Sequence, residues 1–182
     1  MESHQLSHVM RAAAGISGCR EFFLVGSQAI LICAPNAPIS LLKSCEIDVW
    51  MRVPDEVSDV VEGAIGKGSQ FEMTFGYHID VVSAKTAILP KNWEQRAVTV
   101  RDYPGADGLT LTSPSVPDLA ASKLAAGRDK DIEWVRLLIS EGGVSEPELD
   151  AVIGEIVSPE AREKAMLIKT VVFRSEPYVP GW

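Results

Sequence analysis

The chain has 182 residues, enough for one ordinary domain with a hydrophobic core. Hydrophobic residues make up 46% of it and charged residues 23%, a balance that is typical of folded globular proteins and excludes a disordered or fibrous chain. Because 25 acidic residues outweigh 17 basic ones, the net charge is −8, which argues against a broad basic surface for duplex nucleic acid.

The cysteines and the N-terminal sequence indicate where the protein resides. Cys19, Cys33 and Cys45 have neither the ligand spacing of a zinc site nor the even number of a disulfide framework. Residues 1–15 lack the charged start and apolar segment of a signal peptide, and no apolar run approaches the ~20 residues that cross a bilayer. We therefore expect a cytoplasmic protein without a membrane partner.

The first part of the chain predicts a mixture of helices and strands. A helix is expected over residues 4–14, and the apolar residues 22–25 predict a buried strand that ends at the turn Gly26-Ser27. Ser27 can cap a short apolar helix over residues 28–33. Residues 45–53 alternate, so Glu46 and Asp48 face the side opposite to Ile47. Further along we expect a helix at 57–65 and strands at 70–75, 77–83, 97–100 and 109–112.

The rest of the chain is predicted to be helical. Helices are expected at 118–126, 129–140, after a capping box that starts at Ser145, and from residue 159 to about 173. The sequence thus predicts an α+β protein, with an α/β core over residues 1–112 and a helical region over 113–182 that packs on it.

The residues with the clearest chemical potential are the Gly26-Ser27 turn and three carboxylates, Glu46, Asp48 and Asp80. Carboxylates two apart on a strand share a face at a backbone separation of about 6–7 Å, and a third on another strand could complete a site for Mg²⁺ or Mn²⁺. A glycine-serine turn adds backbone N–H groups and a hydroxyl for a terminal phosphate. From the residue types alone, an ordinary solvated strand face is the commoner explanation of these carboxylates.

These segments resemble the nucleotidyltransferase-fold superfamily. Residues 24–30 are similar to its apolar strand and Gly-Ser turn, residues 44–50 to its strand with two acids, and residues 78–82 to the strand with its third carboxylate. Residues 113–131 are similar to the helical segment of AbiEii-type and related uncharacterised bacterial nucleotidyltransferases, some of which are toxins of toxin–antitoxin pairs. The resemblance implies a nucleotidyltransferase-like mixed, largely antiparallel sheet flanked by helices, with a helical C-terminal part.

The resemblance also implies a reaction and its residues. A nucleotidyl group moves from an NTP to an acceptor hydroxyl, and pyrophosphate leaves. Gly26 and Ser27 would hold the terminal phosphate, and Glu46 and Asp48 would bind Mg²⁺ or Mn²⁺. Asp80 would bind the catalytic metal and act as the base for the acceptor hydroxyl.

Two further residues and the partners follow from the same resemblance. Lys123 would reach the triphosphate as a point charge, and Asp131 matches an acidic position of the family's Lys-Asp motif. The acceptor is open among a small hydroxylated molecule, a protein and an RNA 3′ end, and a cognate antitoxin would be a partner if the protein is toxin-like.

A competing interpretation belongs to a different class. The family more often has Asp where this chain has Glu46, and Trp134 occupies a position that is often acidic in the Lys-Asp motif. Both departures would suit a catalytically inactive member that acts as a binding or regulatory partner. The aromatic residues that could stack on a base are scattered, which is more typical of core or rim positions than of a base-stacking site; they are Trp50, Tyr77, Trp93 and Trp134.

Overall fold

A computed structural model of the chain describes residues 1–174, in which contacts separate two compact units. The first unit comprises Met1–Thr86 and Ala97–Pro114, and the second comprises Ala87–Arg96 and the chain from Ser115 onward. The strands are β1 (Glu21–Val25), β2 (Glu46–Met51), β3 (His78–Val81), β4 (Val98–Tyr103) and β5 (Ala106–Ser113). The helices are α1 (Ser3–Ser17), α2 (Ile30–Cys33), α3 (Asp55–Ile65), α4 (Gln70–Phe75), α5 (Trp93–Arg96), α6 (Val116–Ala126), α7 (Asp129–Ser140), α8 (Glu146–Ile153) and α9 (Pro159–Arg174).

The five strands form one mixed sheet in the first unit, in the order β3-β2-β1-β5-β4. Strand β1 is antiparallel to β2 and parallel to β5, while β2 is parallel to β3 and β4 is antiparallel to β5. The α+β class and the mixed sheet are therefore confirmed. The expectation of a largely antiparallel sheet is wrong, because the pairings divide evenly between the two kinds.

The two faces of β2 differ in burial and polarity. Along β2, Ile47, Val49 and Met51 are buried, whereas Glu46 and Asp48 on the opposite face are only half-buried. This alternation is the predicted one. Helix α1 contacts α3 and β5, and α3 contacts β3, so the apolar faces of these helices enclose the core together with the sheet.

The prediction of a strand at residues 70–75 is wrong, because this segment forms α4. Ser69 caps the helix by accepting a hydrogen bond from the backbone N–H of Glu72, and Gly76 ends it with a positive φ of 77°. Phe71 and Phe75, one turn apart, have ring centroids 4.8 Å from each other. The Ser-x-x-Glu spacing is a helix-start signal that outweighs the β propensity of the two phenylalanines.

The segment after β1 also differs in detail from its prediction. Residues Ser27–Ala29 form a 3₁₀ turn that leads into α2, and Gly26 occupies the position before that turn. Ser27 therefore lies inside the turn instead of capping a single helix. The short helix α5 was not predicted, and no helix within residues 1–174 has both the length and the hydrophobicity needed to cross a bilayer.

The second unit is helical, and ion pairs with buried carboxylates link some of its helices. Helix α6 contacts α7, α8 and α9, and the predicted capping box of α8 forms between Ser145 and Glu148. The Arg96 guanidinium donates two hydrogen bonds to the carboxylate of Asp118, whose side chain is fully buried, and also pairs with Glu155. This bidentate pair fastens α5 to α6.

A second buried pair joins α6 to α7. The Nζ of Lys123 lies 3.0 Å from Asp131 Oδ1, and the side chains are 8% and 1% exposed. Arg128 Nε lies 2.5 Å from Asp131 Oδ2, and Lys123 Nζ lies 4.9 Å from the centroid of the Trp134 ring. Burial alone would raise the pKa of Asp131, but the hydrogen bond from Arg128 and the charge of Lys123 outweigh it and lower that pKa.

We predict that Asp131→Asn lowers the free energy of unfolding by about 3–5 kcal/mol at neutral pH, because it leaves the Lys123 ammonium buried without its anion. The contribution of Asp131 is fully present above its ordinary pKa of 3.8 and is lost as the pH falls through its lower folded value. Urea unfolding from neutral to acidic pH should therefore show the difference between wild type and variant narrowing at the acidic end. Asp129→Asn, at an exposed position of the same helix, is the control, and equal losses in both variants would contradict the prediction.

Candidate functional site

The three predicted carboxylates lie on the same face of the sheet, on two adjacent strands. Asp48 on β2 and Asp80 on the parallel strand β3 are direct register partners, and Glu46 is the partner of His78. Residues directly opposite each other on neighbouring strands point to the same face at a backbone separation of about 4.8 Å. All three carboxylates are half-buried. The sheet therefore brings Asp48 and Asp80 side by side, with Glu46 one step away.

The Gly-Ser turn lies directly against this group of acids. Val25, the last residue of β1, is the register partner of Asp48, and Gly26 follows it with a φ of 66°. A Cβ atom added to Gly26 would lie 1.9 Å from Oδ2 of Asp48. Both the backbone conformation and the space available require glycine here. The two parts of the predicted motif are thus in contact.

Two further carboxylates hold the edge strand that carries Asp80. Glu62 Oε2 on α3 accepts a hydrogen bond of 2.7 Å from the backbone N–H of Val81. Glu72 Oε1 on α4 lies 2.7 Å from Nδ1 of His78, which is 3% exposed, an ion-pair distance without the angle of a hydrogen bond. These contacts fix β3 on both sides of Asp80. Sequence reasoning missed them because Glu62 lies in no motif and the helix-start signal that contains Glu72 does not indicate a contact with His78.

The carboxylate oxygens of the candidate site are ligands of the type that Mg²⁺ prefers. Within residues 1–174 no three or more His, Cys, Asp or Glu side chains are grouped so as to hold a metal ion by themselves. Asp48 and Asp80 nevertheless offer a pair of carboxylates on neighbouring strands. Mg²⁺ commonly binds through one or two carboxylates together with substrate phosphates and water, instead of a complete protein cage. The pair fits that mode, with Glu46 as a further oxygen donor.

The other two predicted site residues lie in the second unit. Lys123 and Asp131 form the buried pair described above, with Arg128 as a second cation on Asp131. Within their own unit they therefore bind each other. The carboxylate group of the first unit consists of Glu46, Asp48 and Asp80.

An aromatic stack on the carboxylate face was also missed. The rings of Phe23 on β1 and Trp50 on β2 have centroids 4.5 Å apart and an interplanar angle of 36°. The guanidinium carbon of Arg52 lies 5.0 Å from the Phe23 centroid and 5.4 Å from the Trp50 centroid. Residues 23 and 50 are far apart in the chain, so only the pairing of β1 with β2 reveals the stack.

The chain was compared with known families, curated proteins and solved structures. The family described as "Nucleotidyltransferase of unknown function (DUF6036)" matches residues 4–172. This range includes the three predicted site carboxylates of the sheet, the Gly-Ser turn and the Lys123–Asp131 pair. No curated protein and no solved structure gives a significant match. The match supports the resemblance to nucleotidyltransferases without assigning the AbiEii type. Since it spans nearly the whole chain, the protein belongs to this family of nucleotidyltransferases of unknown function.

Proposed function

We propose that the protein is a divalent-metal-dependent nucleotidyltransferase that moves an NMP group from an NTP to an acceptor hydroxyl. The observation that carries this proposal is the contact of the Gly26 backbone with the Asp48 carboxylate, beside Asp80. Nucleotidyl transfer needs a turn that binds phosphate close to acids that hold a cation, and Gly26 contacts Asp48 next to Asp80. These elements suffice because catalysis of this transfer consists mainly of positioning and charge stabilisation.

Each predicted site residue of the first unit has a role in the proposed reaction. The backbone N–H groups of Gly26-Ser27 and the Ser27 hydroxyl bind the terminal phosphate. Asp48 and Asp80, with Glu46, hold Mg²⁺ or Mn²⁺, which neutralises phosphate charge when bound. Asp80 accepts the proton of the acceptor hydroxyl. The acceptor oxygen then bonds to the α-phosphorus, the bond from that phosphorus to the bridging oxygen breaks, and pyrophosphate leaves with the electron pair.

The proposed contact of Lys123 with the triphosphate rests on the resemblance alone, and so does the part of Asp131. Their ion pair gives both residues a structural role as well, so a loss of activity in either variant would need to be separated from a loss of stability. The toxin-like role is a further proposal and rests on residues 113–131. It requires that expression of the wild-type protein, but not of Asp80→Asn, arrests growth of a bacterial host.

We predict that Asp48→Asn and Asp80→Asn each reduce pyrophosphate release roughly 100-fold or more, because each removes a metal ligand and the second also removes the base. The assay mixes protein, Mg²⁺ and each labelled NTP with candidate acceptors. Asp59→Asn, an exposed acid on α3, is the matched control and should retain activity. Full biological effect in folded Asp48→Asn and Asp80→Asn variants would favour the non-catalytic binding partner instead.

Substitution of Gly26 tests the contact between the turn and the acid. Gly26→Ala forces a Cβ onto Oδ2 of Asp48, so we expect that carboxylate to be displaced and pyrophosphate release to be lost. Gly68→Ala is the control, because Gly68 also has a positive φ, 79°, but nothing lies within 4 Å of its Cβ position. Gly68→Ala should lose about 1–2 kcal/mol of stability from backbone strain. Gly26→Ala should lose more, because its φ of 66° and ψ of −163° suit almost only glycine and its Cβ would overlap Asp48. Urea unfolding measures both losses. Equal activity in the two variants would show that the contact has no catalytic importance.

A further inference from the structure

We propose that the stack formed by Phe23, Trp50 and Arg52 is the acceptor-binding subsite, and that it takes an acceptor with a planar aromatic ring and a negatively charged group. This inference rests on the proposed function, because it assumes that nucleotidyl transfer occurs at the neighbouring carboxylates. It names a binding site that neither the motif residues nor the family description includes.

The stack lies next to the acids on the same face of the sheet. Along β2, Glu46, Asp48 and Trp50 follow each other on one face at steps of about 6–7 Å. On β1, Val25 is the register partner of Asp48 and Phe23 is that of Trp50. The stack is thus the next layer of side chains after the catalytic acids on the same face.

The direction of the proposed reaction places the acceptor on the side of the stack. In an in-line displacement the attacking oxygen and the leaving group lie on opposite sides of the phosphorus. The Gly26-Ser27 turn, which would hold the terminal phosphates, follows Val25 and so lies beyond Asp48 on one side, whereas Trp50 lies on the other. An acceptor that attacks from the side opposite to pyrophosphate therefore approaches over the stack.

The side chains of the stack have the chemistry that binds a planar, negatively charged ligand. Trp50 and Phe23 are half-buried and Arg52 is exposed, so the stack presents a guanidinium plane to solvent. Such a plane and aromatic rings stack on planar rings, and the guanidinium edge donates hydrogen bonds to an oxyanion. On the adjoining strands, the hydroxyls of Thr99 and Thr112 lie 3.0 Å apart, and Thr112 is the register partner of Phe23. Stacking, cationic and hydroxyl groups together suit a nucleotide unit better than an aliphatic polyol.

The net charge of −8 makes a short acceptor more favourable than a long polyanion. A nucleotide unit can come from a free nucleoside monophosphate or from the end of an oligoribonucleotide. The probes are therefore the four nucleoside monophosphates, a short single-stranded oligoribonucleotide and, as the aliphatic comparison, glycerol.

The experiment measures acceptor use and acceptor binding separately. Pyrophosphate release is followed with each probe in wild type, Trp50→Leu, Arg52→Gln and the control Arg20→Gln, an exposed arginine that precedes β1. We expect the two stack variants to raise the KM for the nucleotide acceptor roughly 10-fold, as loss of a stacking partner does, with kcat and the KM for NTP within about twofold of wild type. Arg20→Gln should behave as wild type, and glycerol should be a poor acceptor with every protein.

Binding without turnover is measured by quenching of tryptophan fluorescence in the Asp80→Asn protein. Nucleoside monophosphates should quench it, and adding Arg52→Gln should weaken binding roughly 10-fold. Trp50→Leu lacks the reporter tryptophan, so its binding is measured by calorimetry and should weaken by a similar factor. Preference for the oligoribonucleotide over the monophosphates would identify a chain end as the source of the nucleotide unit, still at this subsite.

Several results would overturn the inference. An increase in the KM for NTP instead of that for the acceptor would place the stack at the donor nucleotide, and unchanged constants in both stack variants would give it no part in binding. Turnover of glycerol or of protein hydroxyls in preference to the nucleotide probes would contradict the ligand class. If no probe supports pyrophosphate release but the stack variants still weaken binding of the nucleoside monophosphates, the proposed function fails while the stack stands as a nucleotide-binding site.

Discussion

The close approach of the Gly26 backbone to the Asp48 carboxylate is the constraint on which the candidate site depends. It arises because β1 ends opposite Asp48 and the chain must turn there with a positive φ, which leaves no space for a side chain. The parallel pairing of β2 with β3 then sets Asp80 beside Asp48. Strand register thus determines the site more directly than any single side-chain contact, since a one-residue slip of β2 or β3 would turn the acid on that strand to the other face of the sheet.

The carboxylates of the first unit serve different purposes although they are chemically alike. Glu62 and Glu72 bind groups of β3 and hold that strand in place, whereas Asp48 and Asp80 are register partners that lie half-buried on one face of the sheet. In the second unit, acids such as Asp131 are buried against cations and stabilise helix packing. The acidic excess of this chain is therefore more than a solubilising coat, because part of it fastens elements of the fold and part belongs to the proposed cation site.

The sequence predicted the strand alternation and the turn of the candidate site, whose signals are local, and failed where the structure depends on pairing between distant strands. The alternation around Glu46 and Asp48 and the turn at Gly26-Ser27 are periodic or conformational signals within a few residues, and the structure agrees with them. The stack of Phe23 with Trp50 depends on β1–β2 register, which no local pattern encodes. The prediction of a strand at α4 is wrong because the capping signal at Ser69 outweighs the β propensity of the aromatic residues.

The central claim is that Asp48 and Asp80 together hold the divalent cation that serves nucleotidyl transfer. A crystal soaked with Mn²⁺ and a non-hydrolysable NTP tests it most directly, because the anomalous signal of manganese locates the ion independently of activity. The account predicts Mn²⁺ in contact with both carboxylates and with phosphate oxygens of the NTP, beside the Gly26-Ser27 turn. Bound nucleotide with Mn²⁺ at other residues, or with no ion between Asp48 and Asp80, would contradict it.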